Sequence, residues 1–209
     1  MEDAGTTFCV ENFRQAKECD DAELWDESML EELSACIENG TWVTVAMTTL
    51  PQKPNIMKTK WIYKIKPATD GTVLRRKSRV VVDGSRQRHD QYDDTYSPVT
   101  HAMTIRLFLA IVVSRRLFLR ALDIKTAFLY GRIPGGTKIY VRPPPGYDIP
   151  EGHCLLLLRL IYGLRNAPCI WFQTLSNTLQ ELGFTQSELG GICKMVNFMF
   201  LSSSLWTTS

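Results

Sequence analysis

Two runs of sequence, Lys60–Lys66 (KWIYKIK) and Lys77–Gly84 (KSRVVVDG), together decide most of the fold. Large apolar residues alternate with lysines in the first run, and Val73–Val82 forms a second extended run beyond the turn at Pro67–Gly71. This alternation around a turn predicts a β-hairpin. Because successive strand residues point to opposite faces, one face can carry a row of positive charge while the other packs. A solvated edge strand protected by lysines is an equally good interpretation of the charge alone.

The charge is unevenly distributed along the chain. Residues 58–88 contain ten basic residues against two acids, whereas residues 1–40 contain twelve acids against two basic residues. The formal net charge of +2 conceals this division. The basic segment therefore predicts an anionic partner for the hairpin.

Composition excludes several classes of protein. The chain has 209 residues, 44% hydrophobic and 22% charged, which suits a globular core and not a disordered or fibrous protein. Its six cysteines show no C-x-x-C spacing, so we expect reduced thiols and no zinc site. No apolar leader occupies the first twenty residues, and the apolar run at 192–201 is short and interrupted. We expect an intracellular protein, cytoplasmic or nuclear, that neither crosses a membrane nor is secreted.

Three helices are predicted. Apolar residues recur every fourth position within Ala22–Glu38, and Asn39-Gly40 supplies a stop. A nearly continuous apolar stretch, Leu107–Val113, predicts a buried helix that begins near Thr100. A third stripe runs from Trp171 to Leu182 before Gly183.

Short strands separate these helices. Leu117–Leu122 is predicted to be a strand with Asp123 at its end, and Lys138–Arg142 and Cys154–Leu160 are two more. Helices and strands of these lengths favour an α+β fold with its core between sheet and helices. Taken alone, Asp123 is most simply the N-cap of the segment that follows.

A series of short sequence blocks occurs in a fixed order across these elements. In order, the chain contains Asn39–Trp42 (NGTW), Lys60–Lys66, Asp70–Gly71, Lys77–Gly84, Gln87, Tyr92–Val99 (YDDTYSPV), Ile105–Arg106, Leu122–Gly131 (LDIKTAFLYG), Ile139–Val141, Pro145–Gly146, Leu160–Pro168 (LIYGLRNAP), Trp171 and Leu182–Phe184. In order and spacing these blocks resemble the reverse transcriptase domain of copia-type retrotransposon polyproteins, over roughly residues 22–187. The resemblance implies the fingers and part of the palm of an RNA-directed DNA polymerase.

The resemblance also implies a metal site. Asp123 matches the first metal-binding aspartate of the family, and the carbonyl of Ile124 would lie where such enzymes offer a further ligand. Polymerases of this class join a primer 3′-hydroxyl to a nucleotide between two Mg²⁺ ions, which prefer hard oxygen ligands. The implied partners are a template-primer of RNA or DNA, a deoxynucleoside triphosphate and the remaining Pol segments.

Further residues are assigned roles by the same resemblance. Arg79 matches an arginine of the fingers whose planar fork suits triphosphate oxygens, with Lys77 as a companion. Phe128 matches the bulky aromatic under the incoming sugar, although it could be an ordinary core residue. Tyr162, Gly163 and Arg165 belong to a turn expected near template and nucleotide, where glycine permits close backbone approach; a plain helix-initiating loop is the alternative.

The family pattern breaks towards the carboxyl end. No Tyr-x-Asp-Asp motif follows Leu160–Pro168, and Gln91–Asp94 is rejected as a substitute because its spacing and position are wrong. Asn166 and Cys169 also depart from the usual Gln and Arg. We expect a fold truncated before the second catalytic motif, with apolar surface exposed at Leu155–Leu160.

The expected organisation has three parts: an acidic, linker-like segment 1–21, the reverse transcriptase portion 22–187, and a divergent tail 188–209 that resembles a different reading frame or a misjoined exon. The leading interpretation is a polymerase domain fragment that is inactive alone. The alternative is a non-catalytic nucleic-acid-binding remnant that uses the basic hairpin. A third interpretation is a translated pseudogene that does not fold stably.

Overall fold

The computed structural model describes residues 10–67, 74–92, 94–97, 102–119, 124–186 and 192–193. Helices and strands are mixed in these ranges. The helices are α1 (Phe13–Glu18), α2 (Ala22–Glu38), α3 (Ala102–Ser114) and α4 (Ala167–Glu181). The strands are β1 (Trp42–Ala46), β2 (Ile56–Met57), β3 (Thr59–Pro67), β4 (Leu74–Val82), β5 (Tyr140–Val141), β6 (His153–Leu157), β7 (Thr185–Gln186) and β8 (Ile192–Cys193). No helix in these ranges is long and apolar enough to cross a membrane.

Helix α2 has the predicted bounds, but its buried face does not keep the predicted period of four residues, because Ile37 is 56% exposed and Cys36 is buried instead. Its inner face buries Trp25, Met29 and Cys36, and Gly40 at φ +59° carries the chain out of the helix. Glycine adopts this left-handed conformation at no steric cost, which makes it a common residue just after the end of a helix. Helix α1 packs beside it.

Strands β3 and β4 form the predicted antiparallel hairpin, with Trp61 opposite Val80 and Tyr63 opposite Ser78. These residues are buried, whereas Lys60 and Lys64 on the alternate row are exposed. Trp61 also donates from its indole nitrogen to the carbonyl of Pro145, 2.9 Å away. The hairpin therefore has one packed face and one basic face, as its sequence predicts.

Strands that precede and follow the hairpin in the sequence form a separate four-stranded sheet with the order β1-β6-β5-β2. Strand β6 is central and antiparallel to both neighbours, and β2 joins β5 in parallel. The predicted strands at 138–142 and 154–160 are confirmed as β5 and β6, although both are shorter than expected. Leu155 and Leu157 belong to the core.

Helix α4 is the predicted third helix, and it starts one residue before Pro168, whose missing N–H costs nothing in the first turn. It packs against the short 3₁₀ helix Ala127–Tyr130. Gly183 follows at φ +80° and ends it. The strand pair β7–β8 comes after this helix.

Two expectations about apolar surface are wrong. Leu155, Leu157 and Leu160 are at most 2% exposed, because the sheet and its neighbours cover them; Leu156 is half-buried and Leu158 is 44% exposed. Conversely, α3 is present but not buried: Val112 is inside, whereas Leu107 and Val113 are 56% and 76% exposed. A high apolar content indicates that a helix would be stabilised by burial. It does not show that another element of the fold packs against it.

The strand predicted at 117–122 is not seen in its described part. Residues 117–119 have no strand pairing, and Phe118 is 98% exposed. Residues 120–122, with Asp123, lie outside the described ranges.

Candidate nucleotide-binding site

Arg79 lies near the carboxyl end of β4, on the basic row opposite Ile62. Its Nη1 donates to Glu32 Oε2 at 2.6 Å and to the carbonyl of Ser78 at 3.0 Å. The Arg79 side chain is 22% exposed and that of Glu32 only 4%. The predicted triphosphate-binding arginine is thus anchored from behind by a carboxylate of α2.

Burial acts on Glu32 in one direction and its charged neighbours act in the other. Desolvation raises the pKa of the Glu32 carboxyl, and the positive charges of Arg79 and Lys77, together with a backbone hydrogen bond from Val80, oppose the increase. The net pKa shift is upward. Lys77 therefore contributes to the electrostatics of this cluster as well as belonging to the basic row.

Tyr162 brings the turn after β6 into the same cluster. The guanidinium of Arg79 lies 5.4 Å from the centre of the Tyr162 ring, a cation–π distance. The edge of one ring meets the face of the other between Phe128 and Tyr162, whose ring centres are 5.0 Å apart. Burial raises the pKa of the Tyr162 hydroxyl above its ordinary value of 10. Arg79, Tyr162 and Phe128 come from three distant segments and form one continuous set of contacts.

Gly163 holds Tyr162 against the hairpin. It has φ +92°, and a methyl group on it would lie 2.1 Å from the carbonyl oxygen of Val82. A methyl group on Gly84 would lie 2.0 Å from the carbonyl oxygen of Gly163. The N–H of Val82 donates to the carbonyl of Tyr162 at 2.8 Å, so the turn and β4 are joined backbone to backbone. The close approach at this glycine is made with the protein's own chain, and its position near template and nucleotide stays a prediction.

Arg165 is engaged by the protein itself. Its Nε donates to the carbonyl of Gly84 at 2.9 Å and its Nη1 to the Tyr92 hydroxyl at 3.2 Å. Its backbone N–H donates to Gln87 Oε1 at 2.9 Å. These contacts stabilise the junction of the turn with the hairpin, so in this conformation Arg165 supports the site from the side.

Only one of the two predicted metal ligands lies in the described residues. Asp123 lies outside the described residues, and Ile124 is half-buried at the start of the next described segment. In the described ranges no three His, Cys, Asp or Glu side chains lie together as a metal-binding group. The described donors therefore do not form a Mg²⁺ site by themselves.

The residue missed by sequence reasoning is Glu32. It lies three residues after Met29 and four before Cys36, so it falls on the buried stripe of α2. A carboxylate on an apolar stripe needs a buried cation or hydrogen bonds. That position was the available signal, but the partner 47 residues away could not be identified from it.

Comparisons with known proteins place the sequence in a family. A family model described as reverse transcriptase (RNA-dependent DNA polymerase) matches residues 39–197. The Retrovirus-related Pol polyprotein from transposon RE1 of Arabidopsis thaliana is 36% identical over 169 residues, covering 79% of this chain and 11% of that protein. The corresponding polyprotein from transposon TNT 1-94 of Nicotiana tabacum is 32% identical over 158 residues, covering 74% of this chain and 12% of that protein.

A shorter relative is also similar. An uncharacterized mitochondrial protein of Arabidopsis thaliana is 41% identical over 88 residues, covering 42% of this chain and 50% of that protein. No solved structure matches significantly. The chain belongs to the reverse transcriptase (RNA-dependent DNA polymerase) family, and it spans about a tenth of the length of the polyproteins that it matches.

Proposed function

We propose that this chain carries the nucleotide-binding fingers and part of the palm of the RNA-directed DNA polymerase of a copia-type Pol polyprotein. The contacts between Arg79, Tyr162 and Phe128 are the observation that carries the proposal. The family resemblance assigns all three to the surroundings of the incoming nucleotide, and they meet although they are far apart in sequence. A chance resemblance would give no reason for them to meet.

In this proposal each residue acts on a different part of the nucleotide. Arg79, whose side chain is 22% exposed, binds triphosphate oxygens with its guanidinium, and Lys77 adds positive charge. Phe128 lies under the sugar and excludes a 2′-hydroxyl by contact. Tyr162 separates the two and fixes their spacing. Gly163 and Arg165 hold this turn against the hairpin near the template.

The catalytic metal enters the proposal through the family resemblance alone. Asp123 and the carbonyl of Ile124 would contribute oxygen ligands to Mg²⁺, which would supply charge stabilisation for in-line displacement. A Tyr-x-Asp-Asp motif is not present in the sequence. We propose that the 22–187 portion needs carboxylates from further Pol segments, acts inside the cell on template-primer and dNTP, and is inactive alone. Residues 1–21 and 188–209 are proposed to be linker and divergent tail.

Primer extension tests this proposal. The purified chain is incubated with poly(rA)/oligo(dT), Mg²⁺ and dTTP, beside an Asp123→Ala variant. We expect no incorporation by either protein. Incorporation that disappears in the variant would show that the chain assembles a complete site, which would overturn the proposed dependence on further segments.

A second candidate function is nucleic-acid binding without catalysis. The observation that favours it is the basic row of the hairpin, where the exposed Lys60 and Lys64 face away from the core. Such binding would use phosphate contacts, so it would need neither Mg²⁺ nor nucleotide and would weaken with salt. Binding of oligonucleotides together with complete indifference to dNTP or tripolyphosphate would favour this candidate over the first.

A further inference from the structure

Glu32 is buried directly behind the guanidinium of Arg79. The carboxylate comes from α2, a helix to which neither the family resemblance nor the sequence blocks assign a part in nucleotide binding. Its contact with Arg79 Nη1 is 2.6 Å long, and its side chain is only 4% exposed. A charge so far from solvent is retained in a fold only where a partner compensates it.

The remaining contacts of Arg79 fix the plane of the guanidinium. The carbonyl of Ser78 accepts a second bond from Nη1 at 3.0 Å. The Tyr162 ring lies 5.4 Å from the guanidinium carbon. Glu32 and Ser78 therefore hold Nη1, and 22% of the Arg79 side chain remains exposed to solvent.

An incoming anion would add to this arrangement rather than replace Glu32. Removing Arg79 from Glu32 would leave a buried carboxylate without its main partner, which is strongly unfavourable. The guanidinium has five N–H donors, so it can serve a carboxylate on one side and phosphate oxygens on the other. Fixing the fork in advance reduces the conformational entropy lost when an anion binds.

We propose that Glu32 is a positioning residue for triphosphate binding, which it serves by holding the guanidinium of Arg79 in a fixed orientation. This inference rests on the proposed function, because it assumes that Arg79 meets a triphosphate. Glu32 itself does not touch the ligand.

A second ion pair between the same helix and strand provides the control. Glu31, the next residue of α2, pairs with Arg75 of the same strand at 3.1 Å, but their side chains are 60% and 68% exposed. Exposed pairs of this kind contribute little. Replacing Glu31 by Gln removes the same charge from the same helix and leaves Arg79 untouched.

The experiment measures sodium tripolyphosphate binding by isothermal titration calorimetry. The proteins are the unmodified chain, Glu32→Gln, Glu31→Gln, Arg79→Ala and the double variant Glu32→Gln/Arg79→Ala. We expect Glu32→Gln to weaken binding by roughly tenfold, a coupling of about 1.4 kcal/mol, and Glu31→Gln to stay within about twofold. The double variant is expected to bind no more weakly than Arg79→Ala, since Glu32 acts through Arg79.

Several outcomes would overturn the proposal. Equal or tighter binding by Glu32→Gln would show that the carboxylate does not assist Arg79. A further loss in the double variant would show a general structural effect. If thermal melting shows that Glu32→Gln does not fold, Glu32→Asp takes its place: it keeps the charge with a shorter reach, and unchanged binding would count against the proposal. No binding by the unmodified, folded chain would instead remove the proposed nucleotide site itself, and the two failures are thereby distinguished.

Discussion

At Glu32 the cost of burying a charge and the attraction of Arg79 act on the same carboxyl group. Burial is the larger effect, so the pKa of Glu32 is raised above its ordinary value of 4.5. The folded protein consequently binds this proton more tightly than the unfolded chain does. The attraction of Arg79 therefore offsets only part of the cost of burying the Glu32 charge.

The pH dependence of stability follows from this direction. Because the folded pKa is the higher one, the stability contributed by Glu32 is present below pH 4.5 and is lost as the pH rises through the folded value. We expect the free energy of unfolding of the unmodified chain, relative to Glu32→Gln, to fall as the pH rises above 4.5 and through the folded pKa of Glu32. Urea unfolding at a series of pH values measures it. A difference that increases with pH would mean that the attraction of Arg79 exceeds the cost of burial.

Gly163 is the residue at which backbone conformation and close contact coincide. A Gly163→Ala substitution would place Cβ 2.1 Å from the Val82 oxygen in a left-handed conformation. We expect it to lower the free energy of unfolding by ~3 kcal/mol, combining strain with overpacking. Gly152→Ala is the control: φ is +73° there, but nothing lies within 4 Å of its Cβ, so a loss of about 1 kcal/mol is expected. Equal losses in the free energy of unfolding of the two variants, measured by chemical denaturation, would show that the close contact contributes little.

Among the elements, β4 shows how a strand edge is covered by a helix. The N–H of Ser78 donates to Ser28 Oγ of α2 at 2.8 Å, in a buried position. Further along, the N–H of Val82 bonds to the carbonyl of Tyr162. The edge is therefore occupied by a side chain and by another segment, which removes a site for unwanted strand pairing.

Ser28→Ala tests this cover. The substitution would leave a buried backbone N–H without an acceptor, so we expect a loss of about 1–2 kcal/mol in the free energy of unfolding. Ser34→Ala, on the exposed side of the same helix, is expected to change it by less than about 0.5 kcal/mol. Thermal melts of both variants make the comparison. Similar values for the two would show that water replaces the serine.

Helix α3 offers two neighbouring valines in opposite environments. Val112 is 8% exposed and Val113 is 76% exposed. We expect Val112→Lys to destabilise the protein by ~2 kcal/mol or more, and Val113→Lys to change its stability by less than about 0.5 kcal/mol. The second variant should also reduce self-association in static light scattering, because it adds charge to an exposed apolar face. Unchanged scattering would show that this face does not drive association.

Over the whole molecule, the acidic segment 1–40 and the basic segment 58–88 pair with each other. The three arginines of β4 pair with carboxylates between Asp21 and Glu32: Arg75 with Glu31, Arg76 with Asp21 and Arg79 with Glu32. Part of the expected anionic partner of the hairpin is therefore the chain's own first helical region. The exposed lysines of the basic row are left as the main candidates for phosphate contacts.

Salt dependence of nucleic-acid binding follows from this division. We expect the slope of log K against log salt to decrease by about one unit for each of Lys60→Ala and Lys64→Ala, as for lysines that contact phosphates. Lys17→Ala, which removes an ion-paired cation of α1, is expected to leave the slope unchanged. Fluorescence anisotropy with a labelled oligonucleotide measures the three slopes. Identical slopes for all variants would place the phosphate contacts elsewhere.

Local patterns in the sequence were sufficient for α2, the hairpin and α4, because period, turn residues and helix ends act over a few residues. The joint position of Arg79, Tyr162 and Phe128 was predictable only through the family resemblance. Their support by Glu32 was not, because a contact between α2 and β4 depends on how the elements pack. The burial predicted for α3 failed for the same reason: an apolar segment does not specify its cover.

The contact between Gly84 and Gly163 has a consequence for the history of the gene. Since the Gly163 carbonyl occupies the space of a Gly84 side chain, and the Val82 carbonyl that of a Gly163 side chain, any missense change at either codon adds at least one carbon atom where none fits. At most positions a chemically similar residue can replace the original one, but no other residue is small enough at these two glycines. A copy of the gene released from selection would lose the joint between hairpin and turn at its first such substitution, while most changes on the outer faces of its helices passed unnoticed.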